Sequence, residues 1–480
     1  MLKDKYKIFY LIGFFAIIRL VVAPLFGLGV DEAHYVLYAR YLDWSYVDHP
    51  PLVGWVHFPF FYLLGTNEFL VRLPAILLFT LTSYCAYLFM FQITESIKIS
   101  LLAVLALNCS FILNVLGLML LPDSLLLLFI FLLIFLAEKI VRTKKPFDYI
   151  LLGLILGMMG LAKYTSILLV PPLIIFFLIK KRYDIIFSPY MFLTAFIAVI
   201  LISPVIYWNY THDFISFRYQ SGHVFGTLAA SAGNFTASIA AQFGAYSPFL
   251  FLVAFYGFFR SMHSRNDYVR LSVLFGGTII LFFFFTSLSE RTLPHWPSIF
   301  YLLFIPIGAY ELALAQEKWK KNFLYLAIGV SLILMLFAYM EVAGKFFTFP
   351  DYKSPFRDIY GFSEITKKAD EIIKKSTTEK TAIAVTNWTM GSRTMYYSLP
   401  YHHEIFVIDQ RKDQFDVWQK NEPLGYDLLF VNTYFHELNI EKYVRCTSVE
   451  NAGKIDIILN GAKVDTIEYI WCHNYRGVKF

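Results

Sequence analysis

The chain of 480 residues is 58% hydrophobic and 19% aromatic but only 16% charged, which excludes an ordinary soluble protein, whose charged fraction is about 25%. The net charge of +6 does not indicate a nucleic-acid partner, because in so apolar a chain the placement of lysines and arginines matters more than their sum. The sequence therefore predicts a polytopic membrane protein with no nucleic-acid partner.

Eleven apolar stretches are candidate membrane spans, because a helix needs about 20 apolar residues to cross the hydrocarbon layer and shorter ones are tolerated at a cost. The first follows Lys3, Lys5 and Lys7, and no small-residue cleavage site comes after it, so we expect an uncleaved first span. In chain order the stretches are residues 8–26, 69–91, 101–121, 124–140, 149–162, 165–179, 190–207, 243–259, 271–288, 296–310 and 323–342.

The basic residues predict the orientation of these spans. With a cytoplasmic N-terminus, sixteen lysines and arginines fall in the inner segments and five in the outer loops before the C-terminal tail. Cytoplasmic loops carry the excess of positive charge in membrane proteins. We therefore expect the N-terminus inside, and the C-terminal tail and the long loops outside.

The first outer loop, residues 31–64, is predicted to hold two interfacial helices. Apolar side chains from Ala33 to Tyr41 recur at helical spacing, with Asp31 and Glu32 in the first turn. The segment "LVGWVHFPFFYLL" follows the connection "DWSYVDHPP", and its aromatic residues suit the headgroup zone. Both helices are expected to lie at the membrane surface.

The composition changes after residue 343. Residues 363–375 form an amphipathic, lysine-rich helical pattern, and β-type runs follow at "TAIAVTN", "EIFVID", "DLLFVN" and "KIDIILN". The sequence predicts a membrane domain over 1–343 and a small soluble α/β domain over 344–480. Cys446 and Cys472 lie in this tail, where a disulfide between them is one possibility.

Polar residues that do not suit a membrane collect at the predicted outer ends of the spans. The candidates for a site are Asp31, Glu32, Asp48, His49, Asp123, Lys163, Tyr164, Arg218 and His295. Structural alternatives exist for three of them: Asp31 and Asp123 are each placed to cap a helix, and Lys163 is placed to reach lipid phosphates at the surface.

The order of several short motifs resembles the GT-C membrane glycosyltransferases, in particular the bacterial branch of protein O-mannosyltransferases and of lipid A aminoarabinose and galacturonosyl transferases. The motifs are "DEAHY" and "DHPPL" after the first span, "RLP" at 72–74, "PDS" at 122–124, "AKYT" at 162–165, "SF" at 216–217 and "PHWP" at 294–297. The resemblance covers the membrane part and is weak in the tail.

The resemblance implies a GT-C fold of about eleven transmembrane helices plus two interfacial helices, followed by the small α/β domain. It also implies a polyprenyl phosphate-linked sugar donor, a bacterial inner-membrane location and a periplasmic site. The family acid of the first outer loop corresponds to Asp31, with Glu32 beside it and Asp123 as a second acid. His34 and His49 stand where relatives of the aminoarabinose branch carry basic residues.

Transfer of a sugar from a phosphate needs a base at the incoming hydroxyl and cations or hydrogen-bond donors at the leaving phosphate. We expect Asp31 to be the base of an inverting displacement, with Glu32 and Asp123 as the other catalytic acids. Lys163, His49 and Arg218 are the main candidates for the phosphate. The full set expected to bind the donor or substrate is His34, Asp48, His49, Lys163, Tyr164, Arg218 and His295.

The acceptor expected is lipid A or another envelope glycolipid, and a protein hydroxyl is the alternative within the same family. A lipid-linked sugar transporter or flippase is the rival of another class, which the absence of an alignable repeat disfavours. No cofactor or metal is assigned, because Asp31 and Glu32 diverge by about 100° on a helix, although a divalent metal is left open.

Overall fold

The computed structural model describes residues 6–225, 231–419, 421–436 and 439–479. Lys3 and Lys5 lie outside these residues. The helices up to residue 344 are Lys7–Val22, Val30–Arg40, Leu52–Leu63, Glu68–Thr94, Ile97–Asn108, Phe111–Leu116, Pro122–Thr143, Pro146–Ala162, the 3-10 helix Tyr164–Leu169, Val170–Ile179, Tyr183–Ile186, Pro189–Thr211, Ile215–Phe225, Ala232–Ala245, Pro248–Ser261, Asp267–Thr286, Ser298–Leu314 and Lys318–Gly344.

Five helices in the described part of the chain are long and apolar enough to cross a membrane, judged by length and composition. They are Glu68–Thr94, Pro122–Thr143, Pro189–Thr211, Asp267–Thr286 and Lys318–Gly344, and a sixth span results if Ala232–Ala245 and Pro248–Ser261, bent by 105° at their junction, cross together. Each of the eleven predicted stretches contains a helix, which confirms the helical membrane class. The number of eleven spans stays a prediction.

The third predicted span, residues 101–121, is a broken helix. It divides into Ile97–Asn108 and Phe111–Leu116. The side-chain amide of Asn114 donates to the carbonyl of Asn108 at 2.7 Å and to that of Ser110 at 2.8 Å, so it bridges the break between the two helices.

The chain forms two compact units. The bundle unit comprises Met1–Val21, Asp43–Phe60 and Arg72–Ala338, and the sheet unit comprises Val22–Leu42, Phe61–Val71 and Tyr339–Phe480. These units differ from the predicted division at residue 343, because parts of the first outer loop belong with the C-terminal sheet. The physical reason is the packing of helix Val30–Arg40, described below.

The sheet unit contains five strands, β1 Thr381–Val385, β2 Ile405–Val407, β3 Asp427–Thr433, β4 Ser448–Leu459 and β5 Ala462–His473. Their order is β2-β1-β3-β5-β4; β1 pairs in parallel with β2 and β3, while β5 pairs antiparallel with β3 and β4. Its α-helices after residue 344 are Phe362–Ile373, Trp388–Tyr397, Gln414–Trp418 and Ile440–Tyr443, and its 3-10 helices are Arg357–Ile359, Leu399–Tyr401 and Tyr434–His436. The predicted small C-terminal α/β region is confirmed.

Alternate residues of each strand point to opposite faces of the sheet. Ile383 and Val385 of β1 belong to one core with the helices Phe362–Ile373 and Trp388–Tyr397. Ala382 and Ala384 belong to a second core on the other face. The sheet is therefore covered on both faces, as the apolar character of β1 and β3 requires.

The first predicted interfacial helix is present as Val30–Arg40 but lacks the exposed face of an amphipathic helix, and its position at the membrane surface stays a prediction. All its residues from Glu32 to Ala39 are buried, and Ala33, Val36 and Leu37 are part of the core beneath the sheet. The His34 ring contacts those of Tyr38 and Trp388, and the Tyr41 ring stacks on that of Trp418. Helix Leu52–Leu63 is present as predicted, and its interfacial depth stays a prediction.

The cysteines of the tail form a disulfide. Cys446 and Cys472 are joined with a Cα–Cα distance of 5.4 Å. This bond links the segment before β4 to the end of β5, which are already neighbours at the Val449–Cys472 register. The alternative left open in the sequence is thus settled in favour of the bond.

Two helices of the bundle approach each other through glycine. A Cβ atom on Gly308 would lie 2.1 Å from the carbonyl oxygen of Val253, and one on Gly257 would lie 2.6 Å from the backbone nitrogen of Gly308. Helices Pro248–Ser261 and Ser298–Leu314 therefore pack backbone to backbone, which small residues permit in membrane helices.

We expect Gly308→Ala to destabilise the bundle by about 1–3 kcal/mol, because the added methyl must displace backbone rather than a flexible side chain. Gly329→Ala is the matched control, since a Cβ there meets nothing within 4 Å. Thermal unfolding in detergent measures both variants. Equal melting temperatures for the two variants would contradict the close contact.

Candidate active site

A buried ion pair marks the polar interior of the bundle unit. The Lys163 ammonium donates to both carboxylate oxygens of Asp123, at 2.7 and 2.8 Å, and the two side chains are only 7% and 5% exposed. An isolated charge inside a membrane bundle is costly, and removing both ions from water is repaid only when the pair is well formed. Each of the two charges is therefore stable in the bundle only while the other is present.

The two charges sit at helix ends that favour them. Asp123 is in the first turn of helix Pro122–Thr143, where the helix dipole stabilises an anion. Lys163 is the residue that ends helix Pro146–Ala162, where the dipole stabilises a cation. The N-cap of the first helix is Leu121, so capping alone does not account for Asp123. Because the Lys163 side chain is buried, it does not reach lipid phosphates at the surface.

Further polar groups surround the pair. His295 Nε2 lies 3.9 Å from the Asp123 carboxylate, and the charge of Asp123 acts on the hydroxyl of Tyr246. An ammonium has three donors, and Asp123 is the only described residue to which Lys163 donates a side-chain hydrogen bond. The third donor is therefore available to an anionic group.

The loop that carries Asp48 and His49 is tied to the bundle through its backbone and neighbours. Ser216 Oγ donates to the carbonyl of Tyr46 at 2.8 Å, and Gln220 Nε2 donates to the carbonyl of Asp48 at 2.7 Å. Helix Ile215–Phe225 therefore fixes both sides of the turn. Asp48 and His49 are half-buried.

The same loop is held from two more directions. Asp43 accepts from the Trp208 indole at 2.8 Å, and Ser45 Oγ lies 3.1 Å from the Tyr164 hydroxyl. Tyr164, which follows Lys163 in the sequence and was predicted as a substrate contact, therefore helps to position this loop. Arg218, on the helix that fixes the turn, is exposed.

The sequence analysis missed several of these residues. Ser216 appeared only as part of a motif, while Ser45, Trp208 and Gln220 gave no signal of their own. His57 is a histidine in an otherwise apolar helix, is 1% exposed and interacts with the backbone of Leu120, two residues before Pro122. Among these residues, only His57 could have been noticed in the sequence, as a single histidine in an apolar segment.

The remaining predicted residues lie on helix Val30–Arg40, in the sheet unit. Asp31 and Glu32 occupy its first turn as predicted. Glu32 is 1% exposed, and its carboxylate accepts from the backbone N–H of Gly29 at 3.2 Å, so it is the acid that secures the helix start. Asp31 is half-buried and is the more accessible acid of the two.

His34 is part of the core of the sheet unit. It is 4% exposed, its Nδ1 lies 3.0 Å from Ser392 Oγ, and its ring contacts those of Trp388 and Trp418 at 5.6 and 5.8 Å between centroids. This packing connects two helices of the unit. We therefore leave His34 out of the phosphate-binding set.

Metal ligands commonly occur as clusters of histidine, cysteine or carboxylate side chains. Among the described residues, no three such groups lie close enough together to hold a metal ion.

Lys163→Met is expected to destabilise the protein by about 3–5 kcal/mol, because it leaves the Asp123 carboxylate buried without its partner. The double variant Asp123→Asn/Lys163→Met should recover most of this loss. Thermal unfolding in detergent of the wild type, the single variant and the double variant measures the coupling. A single variant as stable as the wild type would contradict the mutual dependence of the pair.

Comparisons with known proteins identify relatives in sequence and in fold. Residues 48–208 match the family described as dolichyl-phosphate-mannose-protein mannosyltransferase. The lipid A galacturonosyltransferase RgtD of Rhizobium johnstonii is 23% identical over 386 residues, which cover 77% of each chain.

Two solved structures share the fold over almost the whole chain. ArnT from Cupriavidus metallidurans bound to undecaprenyl phosphate superposes with a TM-score of 0.66 at 12% identity, covering 96% of this chain and 97% of that one. Its apo state gives a TM-score of 0.63 at 12% identity, covering 97% and 98%. The predicted resemblance to the GT-C membrane glycosyltransferases is therefore confirmed at the level of the fold.

Proposed function

We propose that the protein transfers a sugar from a polyprenyl phosphate-linked donor to lipid A or another glycolipid of the bacterial envelope, at the outer face of the inner membrane. The observation that carries this proposal is the buried Asp123–Lys163 pair, which retains one ammonium donor for an anion. Support comes from a relative named as a lipid A galacturonosyltransferase and from the ArnT structure, which contains undecaprenyl phosphate.

In the proposed reaction an acceptor hydroxyl oxygen attacks the anomeric carbon of the donor sugar, and the bond from that carbon to the phosphate oxygen breaks. Asp31 takes the hydroxyl proton, and the bonding electrons stay on the polyprenyl phosphate. Direct displacement inverts the anomeric centre. We assign Asp31 from the sequence resemblance and from its greater accessibility compared with Glu32.

Lys163 is proposed to hold the leaving phosphate, with Asp123 as its positioning residue rather than as a second catalytic acid. A cation about 4 Å from an anion near a protein surface gains on the order of 4 kcal/mol before desolvation. His295 is the neighbouring donor, and His49 and Asp48 sit on the loop that Tyr164 and Gln220 hold in place. Arg218 stays a candidate for the phosphate at the bundle surface.

A protein O-glycosyltransferase is the second candidate. The specific observation in its favour is the match of residues 48–208 to a family described as protein mannosyltransferases. The two functions share the donor and differ only in the acceptor.

Asp31→Asn is expected to lower the rate of sugar transfer by about 10²–10⁴-fold, which is the usual contribution of a positioned base, and to leave donor binding unchanged. The assay supplies purified protein with a labelled polyprenyl phosphate sugar and lipid A. Asp213→Asn, at an exposed acid with positive φ, is the matched control. Undiminished transfer by Asp31→Asn would sink the base assignment.

The double variant Asp123→Asn/Lys163→Met should bind the donor about 10–100-fold more weakly, because it loses a charged hydrogen bond to the phosphate. Titration with polyprenyl phosphate lacking the sugar isolates this contact. The control is Asp148→Asn/Lys139→Met, which removes a second lysine–aspartate pair with an Nζ–Oδ1 distance of 2.7 Å. Equal weakening in both double variants would refute a specific phosphate contact.

The proposed orientation places the C-terminal tail in the periplasm, where disulfides form and persist. In a Cys85→Ala/Cys109→Ala background only Cys446 and Cys472 remain of the four cysteines. A thiol-reactive mass tag applied to acid-quenched cells should add nothing before reduction and two tags afterwards. Two tags without reduction would place the tail on the cytoplasmic side.

A further inference from the structure

A cavity of about 460 Å³ opens within the sheet unit. Its wall includes Arg40 and Tyr41 at the end of helix Val30–Arg40, and Ser398, Glu404 and Trp418 from the later part of the chain. This volume lies in the range of small-molecule sites. None of these five residues has a part in the transfer reaction proposed above.

One wall of the cavity is aromatic. The rings of Tyr41 and Trp418 are stacked, with 4.9 Å between centroids and an interplanar angle of 28°. The Arg40 guanidinium lies over the Tyr41 ring at 5.6 Å. Together they provide a flat apolar surface with a cationic donor at its edge, and such surfaces contribute large contact areas at binding sites.

The other walls carry hydrogen-bonding groups. Ser398 is 2% exposed, and its hydroxyl has no hydrogen-bond partner among the described residues. Leaving a buried hydroxyl unsatisfied is unfavourable. The charge of Glu404 acts on the Tyr426 hydroxyl, and a carboxylate has acceptor capacity for several hydrogen-bond donors.

This combination fits a saccharide better than a lipid tail or a simple anion. Sugar rings present C–H faces to aromatic surfaces, and each sugar hydroxyl both donates and accepts. The carboxylate of Glu404 suits hydroxyl donors and repels a free anion. An acyl chain would leave the buried Ser398 hydroxyl without a partner, which costs free energy.

The cavity is also placed to act with Asp31. Asp31 is in the first turn of helix Val30–Arg40 and Arg40 is its last residue, so their Cα atoms are about 14 Å apart along the helix axis at 1.5 Å per residue. That separation exceeds one sugar ring. A headgroup of several rings can occupy the cavity while a more distant hydroxyl lies near Asp31.

We propose that this cavity binds the sugar rings of the glycolipid acceptor that lie remote from the reacting hydroxyl. The inference rests on the proposed function and names the part of the protein that selects the acceptor. Binding of non-reacting parts of a substrate positions the reacting part, so the cavity contributes to acceptor recognition and not to the donor.

The test uses Ser398→Ala and Glu404→Gln in the full-length protein, with Ser363→Ala and Glu364→Gln as controls on exposed positions of the same unit. Each cavity variant should raise the KM for lipid A about tenfold, the effect of one lost hydrogen bond. The KM for the donor and kcat should stay within about twofold of the wild type. A melting temperature equal to that of the wild type separates this effect from loss of structure.

Direct titration with fully deacylated lipid A, from which both ester-linked and amide-linked chains have been removed, measures the same site with a water-soluble saccharide and without turnover. Its Kd should rise about tenfold in the two cavity variants and not in the controls. Transfer by the wild type with acceptor KM and Kd unchanged in the cavity variants would overturn the inference and leave the proposed function standing.

The converse outcome is also distinct. Saccharide binding that depends on Ser398 and Glu404, without any transfer from the polyprenyl phosphate donor, would support the cavity and overturn the proposed function. Absence of both binding and transfer would overturn both.

Discussion

A lysine ammonium inside a helix bundle needs a counter-charge, and in this protein Asp123 supplies it. The pairing holds two helix ends together, because Asp123 is in the first turn of Pro122–Thr143 and Lys163 is the residue that follows Pro146–Ala162. Both oxygens of the Asp123 carboxylate accept hydrogen bonds from the Lys163 ammonium. If either side chain moved away, the other charge would be left buried without a partner, which is strongly destabilising. The proposed contact with the leaving phosphate uses the third N–H donor of the Lys163 ammonium.

The loop 43–49 depends on the same region of the bundle. Tyr164, the residue after Lys163, reaches Ser45, and helix Ile215–Phe225 holds the backbone at Tyr46 and Asp48. The loop is held by these hydrogen bonds to its backbone carbonyls and by burial of Tyr46 and Val47. Substitution of the supporting residues is therefore expected to act through the position of Asp48 and His49 and not through direct contact with a substrate.

Much of the fold could be predicted from periodicity, and the failures have physical reasons. Four strands and helix Phe362–Ile373 were predicted because burial patterns are local. Strand β5 was missed although "NG" at 460–461 signals a tight hairpin, with positive φ at both residues. Helix Val30–Arg40 was predicted as an amphipathic helix from local spacing, which does not reveal that the distant Trp388 and Trp418 contact its His34 ring. The pairing of Asp123 with Lys163 spans 40 positions, a separation that no local pattern reveals.

We propose that the protein modifies a glycolipid with a sugar taken from a lipid phosphate. Mass spectrometry of lipid A and of envelope glycoproteins from a deletion strain, and from the same strain carrying the wild-type chain, tests this function most directly. We expect lipid A to lack one sugar-sized mass in the deletion strain and to regain it on complementation. Unchanged lipid A together with a loss of sugar from envelope proteins would contradict it in favour of a protein acceptor.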